Sequence, residues 1–192
     1  MIKWLSSKTN SEWLTQALEN PTEILIDHAH CERKAAGFAM QLIFRYFSES
    51  EISETLSPIA REELEHYERV IKILKKRGKK LIRLKAPPYG EKLSKNVRKN
   101  EPYRMLDSFL VAGLIEARSH ERMSLLSVNS PDQEIRNLYS DLLKSEARHF
   151  SVYWKLAEKN FPSIEVRDRL KQLSEVESEI LETLYPAPRM HS

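Results

Sequence analysis

Two four-residue motifs, Glu63-Leu-Glu-His66 and Glu146-Ala-Arg-His149, constrain this chain more than any other feature. Within a helix, Glu-x-x-His puts a carboxylate and an imidazole one turn apart on the same face. A lone acid precedes each motif at nearly the same distance: Glu32 stands 31 residues before Glu63, and Glu116 stands 30 before Glu146. Read at helical spacing, four inward stripes emerge. The first is Leu25, Ala29, Glu32, Ala36, Met40, Ile43 and Phe47, and the second Leu56, Ile59, Glu63, His66, Val70 and Ile73. The third is Phe109, Gly113, Glu116, Met123 and Leu126, and the fourth Ile135, Leu142, Glu146, His149, Tyr153 and Leu156. Near the middle of every stripe an acid replaces an apolar residue.

A buried carboxylate costs several kcal/mol unless something compensates it. Four converging on one core would also repel one another, and two multivalent cations remove both penalties. One Glu from each of two helices, with Glu-x-x-His from each of the other two, is the dimetal carboxylate ligand pattern. A set rich in oxygen with only two nitrogens favours iron or manganese over zinc. The expected metal ligands are therefore Glu32, Glu63, His66, Glu116, Glu146 and His149. His120, one turn after Glu116, is expected to support or pack. His28 and His30 are read as surface or packing residues, although His28 could face inward. Glu121 is a weaker ligand candidate than Glu116.

The surrounding sequence is helical in character, with four glycines in 192 residues. Its length suits one compact domain, residues 1–192. A short amphipathic segment, 11–19, precedes a long helix expected from Pro21 to about Phe47. A second runs to Lys76 or Arg77 and stops at Gly78, with a separate or kinked first turn at Pro58. Residues 79–100 read as a non-helical crossover. A third helix is expected from Glu101-Pro102 to about Val128. The fourth opens with Ser130 as cap and Pro131 in first position, and a further helix covers about 163–185. Two antiparallel hairpins joined by one long crossover make an all-α, ferritin-like four-helix bundle, with the last helix added outside.

The net charge of +3 is unevenly spread. Between Lys72 and Arg104, thirteen Lys or Arg face only Glu91 and Glu101, a local +11 that leaves −8 for the rest. The single Cys31 excludes an internal disulfide and suits a reducing cytoplasm. No apolar run reaches membrane-spanning length, and Met1 to Ser11 lacks the apolar stretch of a secretion signal. A cytoplasmic protein with no membrane partner is expected.

Several longer stretches resemble a known family. They are Ile24-Leu-Ile-Asp-His-Ala-His-Cys-Glu32-Arg-Lys-Ala-Ala36, Ala60-Arg-Glu-Glu63-Leu-Glu-His66-Tyr67, Leu114-Ile-Glu116-Ala-Arg-Ser119, Ser145-Glu146-Ala-Arg-His149-Phe150 and the ending Arg189-Met-His-Ser192. Together they resemble the tRNA hydroxylases that act on 2-methylthio-isopentenyladenosine beside the anticodon. The resemblance implies a non-haem diiron monooxygenase with two Fe ions as cofactor. It would use dioxygen as co-substrate, electrons from an unidentified reductase, and hydroxylate the isopentenyl group. Glu63 and Glu146 would bridge the irons, with Glu32 and His66 completing one and Glu116 and His149 the other. It also gives the basic crossover a partner. Lys79, Lys80, Arg83 and Lys85 could follow the phosphates of an anticodon stem-loop, with Tyr89 and Tyr103 stacking on a splayed base. A solvated charged loop is the plainer reading of the same residues. A ferritin-like iron-storage or peroxide-reducing diiron protein is the alternative function.

Overall fold

The computed structural model of the protein describes residues 4–192. Met1, Ile2 and Lys3, at the head of the segment expected to lack a leader, lie outside the described residues. The described chain is all-α: α1 (Ser11–Glu19), α2 (Pro21–Arg45), α3 (Ser50–Lys76), α4 (Tyr89–Ser94), α5 (Tyr103–Asn129), α6 (Gln133–Asn160) and α7 (Ser163–Leu181). Pairing of α2 with α3 and of α5 with α6 gives the two long hairpins of a ferritin-like helical bundle. No helix among the described residues is long and apolar enough to cross a membrane.

The chain divides into two compact units. One is a hairpin unit, Asn20–Ala86 with Pro188–Met190. Its α2 starts with Pro21 in first position, where the missing N–H costs nothing. The inward stripe begins as expected with Leu25, Ala29, Glu32 and Ala36 buried. Toward the hairpin turn it rotates onto Ala39, Leu42 and Tyr46, leaving Met40 and Phe47 exposed. Phe47 lies beyond Arg45, the last residue of α2, so helical periodicity no longer places it. The separate first turn expected at Pro58 does not form, and α3 is helical throughout. Pro58 is exposed, so the carbonyl deprived of its partner can be hydrated. The end of α3 follows from Gly78, whose φ of +66° turns the chain out of the helix.

The other unit comprises the described part of Met1–Glu19, Pro87–Ala187 and His191–Ser192. Here α5 packs against α1, α6 and α7, which buries most of its circumference. Two expectations are corrected in this unit. The crossover is not wholly non-helical: α4 forms over Tyr89–Ser94 because Pro88 presets the backbone and Tyr89 and Leu93, one turn apart, are both buried. The cap of α6 is Asp132 rather than Ser130, its carboxylate accepting from the N–H groups of Glu134 at 2.9 Å and Ile135 at 3.2 Å. The Ser130 hydroxyl instead accepts from the Asp132 N–H.

Candidate metal centre

In the hairpin unit, α2 supplies Glu32 and α3 supplies Glu63 and His66, all at most 5% exposed. Ligand atoms of the three lie within 4.8 Å of one another. The Nδ1 of His66 is 3.5 Å from Oε2 of Glu32 and 3.7 Å from Oε2 of Glu63. His28 stands one turn before Glu32, fully buried, with its Nε2 against Oε1 of that carboxylate. Burial pushes the Glu32 carboxyl up, but the His28 charge and polar contacts with His28, His66 and Glu63 outweigh it, leaving a pKa of about 2. His28 is thus a packing residue, as one of the two sequence readings had it, and it packs on Glu32. Its spacing of four from Glu32 was the available signal.

In the second unit, Glu116 on α5 meets Glu146 and His149 on α6, and their ligand atoms also fall within 4.8 Å of one another. Again all three are buried. His120 lies beside this triad rather than in it. Its ring stands edge-on to Phe150 at 6.1 Å between centroids. Burial lowers its pKa, against an opposing pull from Glu146.

Each triad therefore offers two carboxylates and one imidazole within a few ångströms, out of water. Two desolvated acids so close together repel unless protons or a cation neutralise them. Two such Glu/His clusters suit a diiron site, hard oxygen donors with one nitrogen each.

Glu121 joins neither triad. Five residues beyond Glu116 it points about 140° away on an ideal helix. There it accepts from the Thr9 N–H at 3.2 Å and hydroxyl at 2.7 Å and pairs with Arg118 at 2.5 Å. Sequence reasoning missed the buried network around it. Arg118 donates to Glu177 through Nε at 2.8 Å and Nη2 at 2.7 Å. Arg122 is buried against the Trp13 ring and donates to the Ser192 carbonyl at 2.8 Å. Burial, with repulsion from Arg118, brings its pKa down to about 9.

The crossover cations Lys79, Lys80, Arg83 and Lys85 are all exposed. Nearby, Nε2 of His30 contacts the Ile82 carbonyl at 2.7 Å, so this basic strip touches α2 at a residue two positions from Glu32. Tyr89 cannot serve the stacking role expected of it. It is buried, donates to Glu177 at 3.1 Å and stacks on His191. Tyr103 is exposed, with the Arg98 guanidinium 4.5 Å above its ring.

Paired helical hairpins carrying two buried Glu-Glu-His clusters define a diiron-binding protein of the ferritin-like oxidoreductase class. The chain belongs to the family described as tRNA-(MS[2]IO[6]A)-hydroxylase (MiaE), which matches residues 1–192. It is 36% identical over 189 residues to the tRNA 2-(methylsulfanyl)-N(6)-isopentenyladenosine(37) hydroxylase of Pseudomonas putida, covering 98% of this chain and 92% of that one. The Salmonella typhimurium protein of the same name is 25% identical over 241 residues, covering 100% of this chain and 88% of that one. Among solved structures, a Synechococcus protein described as "Protein 43 with aldehyde deformylating oxygenase activity" superposes with a TM-score of 0.97 at 56% identity. That match covers 100% of this chain and 96% of the other.

Proposed function

We propose that the protein is a cytoplasmic diiron monooxygenase that hydroxylates the isopentenyl group of 2-methylthio-isopentenyladenosine next to the anticodon of tRNA. The observation that carries this reading is a pair of buried Glu-Glu-His clusters on a chain matched along residues 1–192 by one hydroxylase family. Glu32, Glu63 and His66 would hold one iron, and Glu116, Glu146 and His149 the other. When bound, the irons activate dioxygen: one oxygen atom enters a C–H bond, and the other leaves as water with two electrons and two protons from an external reductase. The chain's own side chains keep this chemistry dry and oriented. Burial excludes water from each triad, and His28 holds the Glu32 carboxylate at Oε1. The exposed cations of the crossover, Lys79, Lys80, Arg83 and Lys85, would meet phosphates of the anticodon stem-loop. All 192 residues would act as one domain.

A second reading has its own support. The Synechococcus protein at 56% identity is described by aldehyde deformylating oxygenase activity, and the two triads suit any diiron oxidation. An iron-storage or peroxide-reducing diiron protein would also share them. Neither reading accounts for the net charge of +11 over Lys72–Arg104. The deciding experiment supplies iron-loaded protein, reductant and oxygen with tRNA bearing the methylthio-isopentenyl base, and in parallel with a long-chain aldehyde. Hydroxylated nucleoside in digests of the tRNA is the expected result. An unchanged nucleoside, with the aldehyde losing its formyl carbon, would replace this proposal with the second reading.

A further inference from the structure

A cleft of about 690 Å³ opens in the unit of α5, α6 and α7, walled by Trp4, Phe150 and Trp154 and bordered by Lys155, Arg167 and Lys171. The volume falls in the range of small-ligand pockets. Its position on α6 separates it from the metal ligands. Phe150 and Trp154 follow His149 by one and five residues, which places them about 100° and 140° round the helix from it. The rings are fixed against one another: Trp4 meets Trp154 edge-on at 5.5 Å and Phe150 at 5.9 Å. Trp4 is in turn seated on Gly113, where any Cβ would collide with its indole. These aromatics therefore form a rigid platform one turn along α5 from Glu116.

The charge on this platform is of one sign. Among the described residues, every charged side chain lining the cleft is cationic, in a chain whose sequence outside Lys72–Arg104 is net −8. Lys155, Arg167 and Lys171 are exposed, so their charges remain available. Ser6 and Ser151 add hydroxyls at the edge. Aromatic faces next to unpaired surface cations suit a flat base with its phosphates. Such stacking is tolerant of sequence, and the flanking charge follows the backbone of a single strand. An acidic protein would satisfy the cations but would leave the aromatic walls without a matching group.

We infer that this cleft binds one unpaired nucleobase and its adjoining phosphates in a single-stranded RNA segment, as an anchor distinct from the triads. The inference rests on the tRNA reading proposed above and adds a second RNA contact to the crossover. Trp154 is the stacking partner, because it is half-buried and leaves part of its indole accessible, whereas Trp4 is buried. Lys155, Arg167 and Lys171 neutralise the phosphates.

The test titrates the full-length protein with a labelled anticodon stem-loop RNA, following anisotropy and tryptophan emission together. Wild type should bind with quenching. Trp13, buried under Arg122, should report little of it. Trp154→Leu should lose roughly 5- to 150-fold in affinity, the range of one base–aromatic stack, and most of the quenching. Trp154→Phe should recover much of the affinity but not the emission change. Lys155→Ala, Arg167→Ala and Lys171→Ala together should lower the slope of log affinity against log salt by about two units. Because those three residues are exposed, this triple variant tests the cleft even if Trp154→Leu fails to fold. Unchanged affinity and quenching in both the leucine and the triple variant, with crossover variants weakened, overturns the cleft while leaving the tRNA reading intact. A fall in the triple variant alone, with Trp154→Leu folded and binding normally, makes this a general cationic surface and overturns base binding. A wild-type protein without affinity for the stem-loop overturns both.

Discussion

The carboxylate of Glu177 on α7 receives two N–H groups of Arg118 on α5, at 2.8 and 2.7 Å, and both side chains are wholly buried. The pair ties the outer helix to α5, which also carries Glu116. Removing Glu177 leaves the buried Arg118 guanidinium with Glu121 as its remaining carboxylate and strips two charged hydrogen bonds, which costs about 1–3 kcal/mol. Glu177→Ala should lose stability of that order in urea unfolding, and the double replacement Arg118→Met with Glu177→Leu should lose much less. Equal losses in the two would mean the pair is held by packing rather than charge.

Glu116→Ala and Glu121→Ala should separate metal binding from folding. Glu116 belongs to a buried triad, so its removal should lower iron content and activity while far-ultraviolet circular dichroism is retained. Glu121→Ala should keep its iron. It should nonetheless cost about 1–3 kcal/mol of stability, because Thr9 and Arg118 lose a charged acceptor. Iron loss in the Glu121 variant with full activity in the Glu116 variant would reverse this assignment of the two faces of α5.

Asp107 should shape the acid limb of stability. Burial pushes its carboxyl up, but hydrogen bonds from Arg169 and Arg98 more than offset this and hold it below the usual carboxylate range. A depressed folded-state pKa contributes stability above the unfolded value, near pH 4, that is lost as pH falls through the folded value. Asp107→Asn should therefore be less stable near neutrality and show a shallower decline below about pH 4. Urea midpoints measured between about pH 2 and 7 would reveal a parallel decline if Asp107 had no such role.

Gly113→Ala tests the seating of Trp4. A methyl group there would overlap the indole, and overpacking of this kind costs about 1–3 kcal/mol. Tryptophan emission should shift as Trp4 is displaced, and the thermal midpoint should fall. An unchanged spectrum and midpoint would place slack between α5 and Trp4.

Reversing Lys79, Lys80, Arg83 and Lys85 to glutamate should weaken tRNA binding and reduce its salt slope by roughly one unit per lost phosphate contact. All four are exposed, so iron content should not move. An affinity unchanged across the series would put the RNA surface elsewhere.

Local chemistry and helical period determined much of this protein in advance. The four acids and two histidines stood out in the sequence because each interrupts an apolar stripe, and the fold gathers them into two buried clusters. Pro21 and Gly78 marked helix ends through their own backbone restrictions. Tertiary structure decided what periodicity cannot reach. Tyr89 looked like an RNA-stacking residue in a basic loop, yet it is buried by Glu177, 88 positions away. Met40 fits its stripe but is exposed, because the buried face of α2 turns toward Ala39, Leu42 and Tyr46 near the end of the hairpin. Trp4, Phe150 and Arg167 are scattered along the sequence and share one cleft. A residue's own turn is fixed by its neighbours in sequence, whereas its burial, its charge partner and its cleft depend on which distant segments fold against it.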